Sequence, residues 1–168
     1  LLYVFADQWR AEAIGALGSD QAVTPNIDHF SEESVCCTNA YSTFPLCSPH
    51  RASLMTGKYP FRVGMWTNCK IGLEEKIMLK PQETCIANVL KDAGFATGYI
   101  GKWHLDGGDY FGNGICPEGW DEAYWYDMRR YLEELTEEER LKSRKSSTSF
   151  DEDMTEEFTY AHRCSKRA

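Results

Sequence analysis

The stretch Ala96-Thr97-Gly98-Tyr99-Ile100-Gly101-Lys102-Trp103-His104 sets the reading of the chain. Residues 96–100 form a short apolar run bounded by Gly94 and Gly101, which predicts a buried strand. Upstream, Ile86, Val89, Leu90 and Ala93 repeat at helical spacing after Thr84, and Gly94 stops that helix. Lys102 and His104 follow the strand directly. Ligands in open α/β sheets sit beyond the carboxyl ends of strands, so two titratable groups here mark a site at the rim of a sheet.

Working outward, Leu2–Ala6 predicts another buried strand, again ending on polar groups, Asp7 and Gln8. Thr24-Pro25 reads as an N-cap followed by proline at the first helical position, opening a helix to about Ser34. Val35–Tyr41 reads as extended, residues 45–49 as a loop, and Arg51–Thr56 as a short helix closed by Gly57. Residues 105–120 hold five glycines and one proline and read as loop. Helices are expected over 127–135 and about 136–145, then a polar break at 146–149. Met154, Phe158 and Ala161 mark a last helical stripe. The alternation predicts an α/β fold with a mixed, largely parallel sheet flanked by helices. The apolar pattern at Leu1 and the stripe running into the final residues read as one domain cut at both ends.

Composition narrows the function. The 168 residues are 42% hydrophobic and 26% charged, so collagen-like and wholly disordered chains are excluded. A net charge of −8 argues against a nucleic-acid surface. No apolar run approaches the roughly 18 residues of a membrane span. Residues 1–120 carry 13 acidic and 9 basic side chains, and the much shorter 121–168 carries the same numbers. The first part therefore reads as core with loops, the second as solvated helices. Seven cysteines without a CxxC pair do not suit a disulfide-built miniprotein, and six of them read as buried or free thiols.

The seventh, Cys47, stands in the chemically densest segment, Pro45-Leu46-Cys47-Ser48-Pro49-His50-Arg51, continuing to Leu54-Met55-Thr56-Gly57. A cysteine at a turn into a helix lies where unpaired N–H groups and the dipole favour anions. Arg51, four residues on, adds a forked cation suited to an oxyanion. Residue chemistry alone thus allows a nucleophilic site for an anionic ester, or a buried cysteine beside an unrelated arginine.

Cys47-Ser48-Pro49-His50-Arg51 resembles the C-x-P-x-R signature of the type I, formylglycine-dependent sulfatases. Residues 94–104 resemble that family's second signature, a strand leading into G-K-W-H. Phe5-Ala6-Asp7-Gln8-Trp9-Arg10 resembles its metal-binding first strand, and Thr24-Pro25-Asn26-Ile27-Asp28 the segment after it. The resemblance spans residues 1–104 in family order and implies an alkaline-phosphatase-like sulfatase fold, present here only in its N-terminal part. It implies that Cys47 is oxidised to formylglycine by a sulfatase-maturing, formylglycine-generating enzyme. One hydroxyl of the aldehyde hydrate then attacks sulfur, and the second expels sulfate and restores the aldehyde. Serine lacks that second hydroxyl.

By the same resemblance Asp7, with Gln8 as a neutral oxygen donor and modified Cys47, ligates a divalent cation. Calcium is the expected ion, with magnesium or another as alternatives. Arg51 holds the hydrate, Lys102 contacts a sulfate oxygen, and His104 hydrogen-bonds the hydrate or takes its proton. The substrate implied is a sulfated glycan or small molecule, and periplasmic or secreted placement is consistent with it. Relatives place further metal ligands and a later His and Lys downstream, and residues 105–168 show no counterpart, so this chain alone is expected to be inactive. His50 replaces a small residue between Pro49 and Arg51. Trp9, Trp66 and Trp103 are candidate pocket walls, and Asp106 and Asp109 candidate substrate contacts. His29 and His162 read as structural or solvent-facing. Two other readings are a phosphonate monoester or phosphodiester hydrolase of the same superfamily and a non-catalytic or metal-binding module using Cys36, Cys37 and a nearby His.

Overall fold

The structure, a computed structural model, describes residues 1–18, 21–72, 76–145 and 155–168. They form two compact units, Leu1–Ser42 and Thr43–Ala168.

In the first unit the Thr24-Pro25 signal opens helix α1, Pro25–Glu32. The Thr24 hydroxyl does not cap a helix N–H. It donates to Asp28 Oδ1 at 2.8 Å and accepts the Gly15 N–H at 2.8 Å, while the Ala16 N–H donates to Asp28 Oδ1 at 2.9 Å. Thr24 and Asp28 thereby pin the 15–16 turn to the start of α1. The strand expected at Leu2–Ala6 is absent. Residues 1–6 form no strand, and Leu1, Leu2 and Val4 are exposed. A strand draws its stability from a neighbouring strand and a buried face, and an apolar run that is not buried stays irregular. Residues 35–41 likewise form no strand, with a turn at 38–39.

The second unit begins with helix α2, Cys47–Thr56. It starts four residues earlier than expected and absorbs part of the predicted 45–49 loop. Leu46 is the extended N-cap, and Pro49 sits in the first turn, where a missing N–H costs nothing. Gly57, at φ 68°, closes the helix by donating to the Ser53 carbonyl at 2.8 Å. Helix α3, Ile86–Asp92, is also present, but its apolar stripe is not its buried face. Ile86 and Val89 are exposed, and Ala87 is the residue it buries.

The sheet is a parallel pair, β1 (Tyr99–Ile100) with β2 (Trp125–Tyr126), in the register Tyr99 to Trp125 and Ile100 to Tyr126. The strand expected over 96–100 shortens to its last two residues. Thr97 instead ties to a turn: its N–H donates to Asp121 Oδ2 at 2.8 Å, its carbonyl accepts the Asp121 N–H at 3.0 Å, and its hydroxyl donates to the Gly119 carbonyl at 2.7 Å. The Thr97 N–H, with Lys91, holds the Asp121 carboxyl below its ordinary range.

Helices α4 (Met128–Glu134) and α5 (Glu137–Lys145) lie where the sequence placed them. Asp127 caps α4 by accepting the Arg130 N–H at 3.0 Å. The predicted break at 146–149 and Met154 lie outside the described residues. The rest of the last stripe divides between a 3₁₀ turn at Glu156–Phe158 and helix α6, Tyr160–Arg167, because Thr159 caps α6.

The main core gathers Met65, Cys69, Ile77, Tyr99, Leu105 and Trp125 around Trp103. Tyr99 stacks on Trp125 with ring centroids 5.2 Å apart, and Trp103 meets both edge-on at 5.1 and 5.4 Å. Trp103 is therefore a core residue, not a pocket wall. A smaller cluster of Tyr126, Tyr131 and Leu135 receives Phe158, Tyr160 and Cys164. Trp103→Ala is expected to cost about 3–5 kcal/mol, and Trp103→Phe less than half of that, in urea denaturation. An unchanged midpoint for Trp103→Ala would contradict this packing.

Candidate active site

Three segments meet at the N-terminus of α2. Ser48, fully buried, joins them. Its N–H donates to Asn68 Oδ1 at 2.9 Å, its hydroxyl donates to the His104 carbonyl at 2.7 Å, and its oxygen accepts the Cys69 N–H at 3.0 Å. One residue beside the candidate nucleophile thus fixes both the 68–69 segment and the 102–104 segment. Asn68 and Ser48 carry no sequence pattern that assigns them this work. Only the adjacency of Ser48 to Cys47 hinted at it.

The segment after β1 is placed by backbone geometry. Gly101 adopts φ 130°, open to glycine and strained for other residues, and donates to the Tyr126 carbonyl at 2.8 Å. Lys102 then turns inward, 5% exposed. Its Nζ lies 3.2 Å from Cys47 Sγ and 3.7 Å from the centroid of the Tyr110 ring. Arg51, one helical turn below Cys47, sends Nη1 to the Lys102 carbonyl and to the Tyr99 hydroxyl, the latter at 3.2 Å. The Tyr99 hydroxyl donates to the same carbonyl. Arg51 is also buried, so its charge is taken up in part by the backbone of the loop that carries Lys102.

His104 is 4% exposed and holds φ 56°, an uncommon backbone conformation for a side chain of its size. Its Nε2 lies 2.9 Å from the Cys69 carbonyl. A carbonyl only accepts, so Nε2 carries the proton and Nδ1 carries the lone pair in the neutral ring. Nδ1 is buried and without a partner among the described residues. Burial, with a smaller contribution from the Lys102 and Arg51 charges, pushes the imidazole below the ordinary histidine value. The arrangement thus holds a thiol against an ammonium, with a neutral imidazole two residues along the chain from that ammonium. It can receive an anion at Cys47 and offer a buried base.

The structure therefore gathers Cys47, Arg51, Lys102 and His104 in the second unit. Asp7 and Gln8 lie in the first unit, where Gln8 adopts φ 54°. Their oxygens are of the hard kind a calcium or magnesium ion takes, but two donors fall short of the six to eight that calcium binds. Among the described residues no group of three or more His, Cys, Asp and Glu side chains could hold a metal ion, and all seven cysteines are free thiols. His50 is half-buried, and its N–H makes the first bond of α2, to the Leu46 carbonyl at 2.9 Å. Asp106 accepts the Gly108 and Asn113 N–H groups, and Asp109 accepts the Phe111 N–H and pairs with Arg129, so both shape the 105–114 loop. Trp9 and Trp66 are exposed. His29 is solvent-facing, beside Glu32 and Glu33.

The His104 environment has a consequence for stability. The unfolded chain protonates this ring near the ordinary value of about 6.5, while the folded chain resists protonation to lower pH. Folding stability is therefore fully present above the ordinary value and declines as pH falls from about 7 through it. Urea midpoints between pH 7.5 and 5.5 should fall less steeply for His104→Gln than for the parent. Parallel slopes would contradict the neutral, buried ring.

Known proteins resemble this chain. The sulfatase family model matches residues 1–161. The chain is 40% identical to the uncharacterized sulfatase YidJ of Escherichia coli K12, over 99% of this chain and 33% of that protein. It is 45% identical to the ulvan-active sulfatase of Formosa agariphila, over 64% of this chain and 20% of that protein. The chain thus spans a third or less of the length of these relatives. A solved structure from the core locus with which Bacteroides thetaiotaomicron metabolises multiple glycosaminoglycans superposes with a TM-score of 0.57 and 37% identity. It covers 71% of this chain and 26% of that one. The neighbours are sulfatases of the alkaline-phosphatase-like fold, and the α/β unit with its small parallel sheet is part of that fold. The chain belongs to the sulfatase family.

Proposed function

We propose that this protein hydrolyses sulfate esters, on a sulfated carbohydrate in the first instance, with a formylglycine made from Cys47 by a sulfatase-maturing enzyme. The observation that carries the reading is the 3.2 Å approach of Lys102 Nζ to Cys47 Sγ at the first residue of α2. An oxygen in place of that sulfur would accept the same hydrogen bond. The formylglycine hydrate would supply the attacking oxygen and the second hydroxyl that releases sulfate.

Lys102, Arg51 and His104 each have a part that their contacts support. Lys102, nearly buried, brings a point charge to the atom where the anionic ester docks, and burial strengthens its field. Arg51 orients it by gripping the Lys102 carbonyl. His104 is held in one tautomer by the Cys69 carbonyl, so Nδ1 is the position that would take a proton as sulfate leaves. Asp7, with Gln8 as a weaker neutral donor, would contribute oxygens to a divalent cation, proposed as calcium, whose charge would stabilise the sulfuryl oxygens. The carbohydrate substrate is favoured by relatives named ulvan-active sulfatase and N-acetylgalactosamine-6-O-sulfatase.

The test is mass spectrometry of the Cys47 peptide from full-length protein coexpressed with a formylglycine-generating enzyme. It is paired with sulfate release from 4-nitrophenyl sulfate and from sulfated polysaccharides. The aldehyde should be present and sulfate released. Cys47→Ala should lower turnover by at least about 10³-fold, as expected for loss of the nucleophile. Unmodified Cys47 with no sulfate release, or a strong preference for a phosphonate monoester, would overturn the reading.

A further inference from the structure

Lysine is a flexible point charge with three donors, so the groups around its ammonium decide where it sits. One group beside Lys102 belongs to neither signature segment. Tyr110, in the glycine-rich loop after the second one, sets its ring face 3.7 Å from Lys102 Nζ and its centroid 5.7 Å from that of His104. Lys102 and His104 are buried, while Tyr110 is 44% exposed, so the ring stands at the boundary between these two groups and solvent.

The loop that carries Tyr110 is itself tied down. Asp109 accepts the Phe111 N–H at 3.0 Å and pairs with Arg129 at 3.2 Å. Arg129 Nε donates to the Gly112 carbonyl at 2.8 Å, and Asp106 accepts the Asn113 N–H at 2.6 Å. Phe111 meets the Tyr110 ring edge-on at 5.7 Å. Both ends of the short stretch around Tyr110 are therefore held by partners outside the signature segments. An aromatic face attracts an ammonium through its quadrupole, more strongly where water is excluded.

We propose that Tyr110 is a positioning residue for the candidate reaction: its ring face clamps the Lys102 ammonium at the terminal atom of residue 47. The proposal deepens the sulfatase reading, but its first test does not need that reading. The requirement is for an aromatic face, not for a hydroxyl and not for bulk. Phenylalanine should serve and leucine should not.

In the full-length protein made without the maturing enzyme, Cys47 is a thiol with Lys102 Nζ 3.2 Å from its sulfur, so its reactivity reports where that ammonium sits. Alkylation of Cys47 by iodoacetamide, followed by mass spectrometry of its peptide, should proceed at the parent rate in Tyr110→Phe. It should slow several-fold in Tyr110→Leu, within the strength of a partly buried cation–π contact of about threefold to tenfold. In a Lys102→Met background the Phe and Leu variants should alkylate alike, which a merely structural role for Tyr110 would not produce. In the matured enzyme, kcat/KM for 4-nitrophenyl sulfate should follow the same order.

Equal alkylation rates for Phe and Leu, or a Leu effect that persists in Lys102→Met, would overturn the clamp. Alkylation in the predicted order in the unmatured protein, together with a matured parent that releases no sulfate, would leave the clamp standing and remove the sulfatase reading. Because the exposed Tyr110 variants could still perturb the loop, melting curves accompany each one, and a Phe variant that melts like the parent yet alkylates like Leu also refutes the clamp.

Discussion

The candidate site depends on one buried hydroxyl. Ser48 donates to the His104 carbonyl and accepts the Cys69 N–H, while its own N–H is taken by Asn68. These three bonds join helix α2, the 68–69 segment and the loop after β1, which have no continuous backbone ladder between them among the described residues. In a fully buried position each unmade bond would leave a desolvated donor or acceptor, a penalty of about 1–3 kcal/mol. The chain can satisfy Ser48 only by bringing Cys47, Cys69 and His104 into one arrangement, and the Cys69 carbonyl in turn sets the tautomer of His104.

Electrostatics then follow from burial. Three groups that carry charge or can acquire it, Arg51, Lys102 and His104, share one dry region. Arg51 spends part of its hydrogen-bonding capacity on a backbone carbonyl, and His104 responds by staying neutral. The ammonium of Lys102 lies against Cys47. Under the proposed function, a site prepared in this way would have positive charge in place before an anionic ester arrived, so little reorganisation would be needed.

Much of this was legible in the sequence, and the reasons differ by element. Cys47 with Arg51 one turn on, and Lys102 with His104 after a glycine-bounded apolar run, could be read because helical spacing and strand ends constrain where side chains point. Helix α2 begins four residues before the helix that the sequence predicts because Pro49, a loop-favouring residue, is well tolerated in a first turn. The strand at Leu2–Ala6 was overread because an apolar run states only that a strand would be buried, not that a partner is beside it. β2 was missed because two residues, Trp125-Tyr126, carry no period. Ser48, Asn68 and Tyr110 act through contacts across 20 or more residues or through a ring face, and no local pattern encodes either.

The most direct test of this account is the Ser48→Ala variant of the full-length protein, assayed for sulfate release per formylglycine formed. Loss of the hydroxyl orphans the Cys69 N–H and the His104 carbonyl, and sub-ångström displacement of His104 and Lys102 should lower kcat/KM by about 10²-fold while helix content is retained. A Ser48→Ala protein with the parent's kcat/KM would show that the three segments are not held together by this residue.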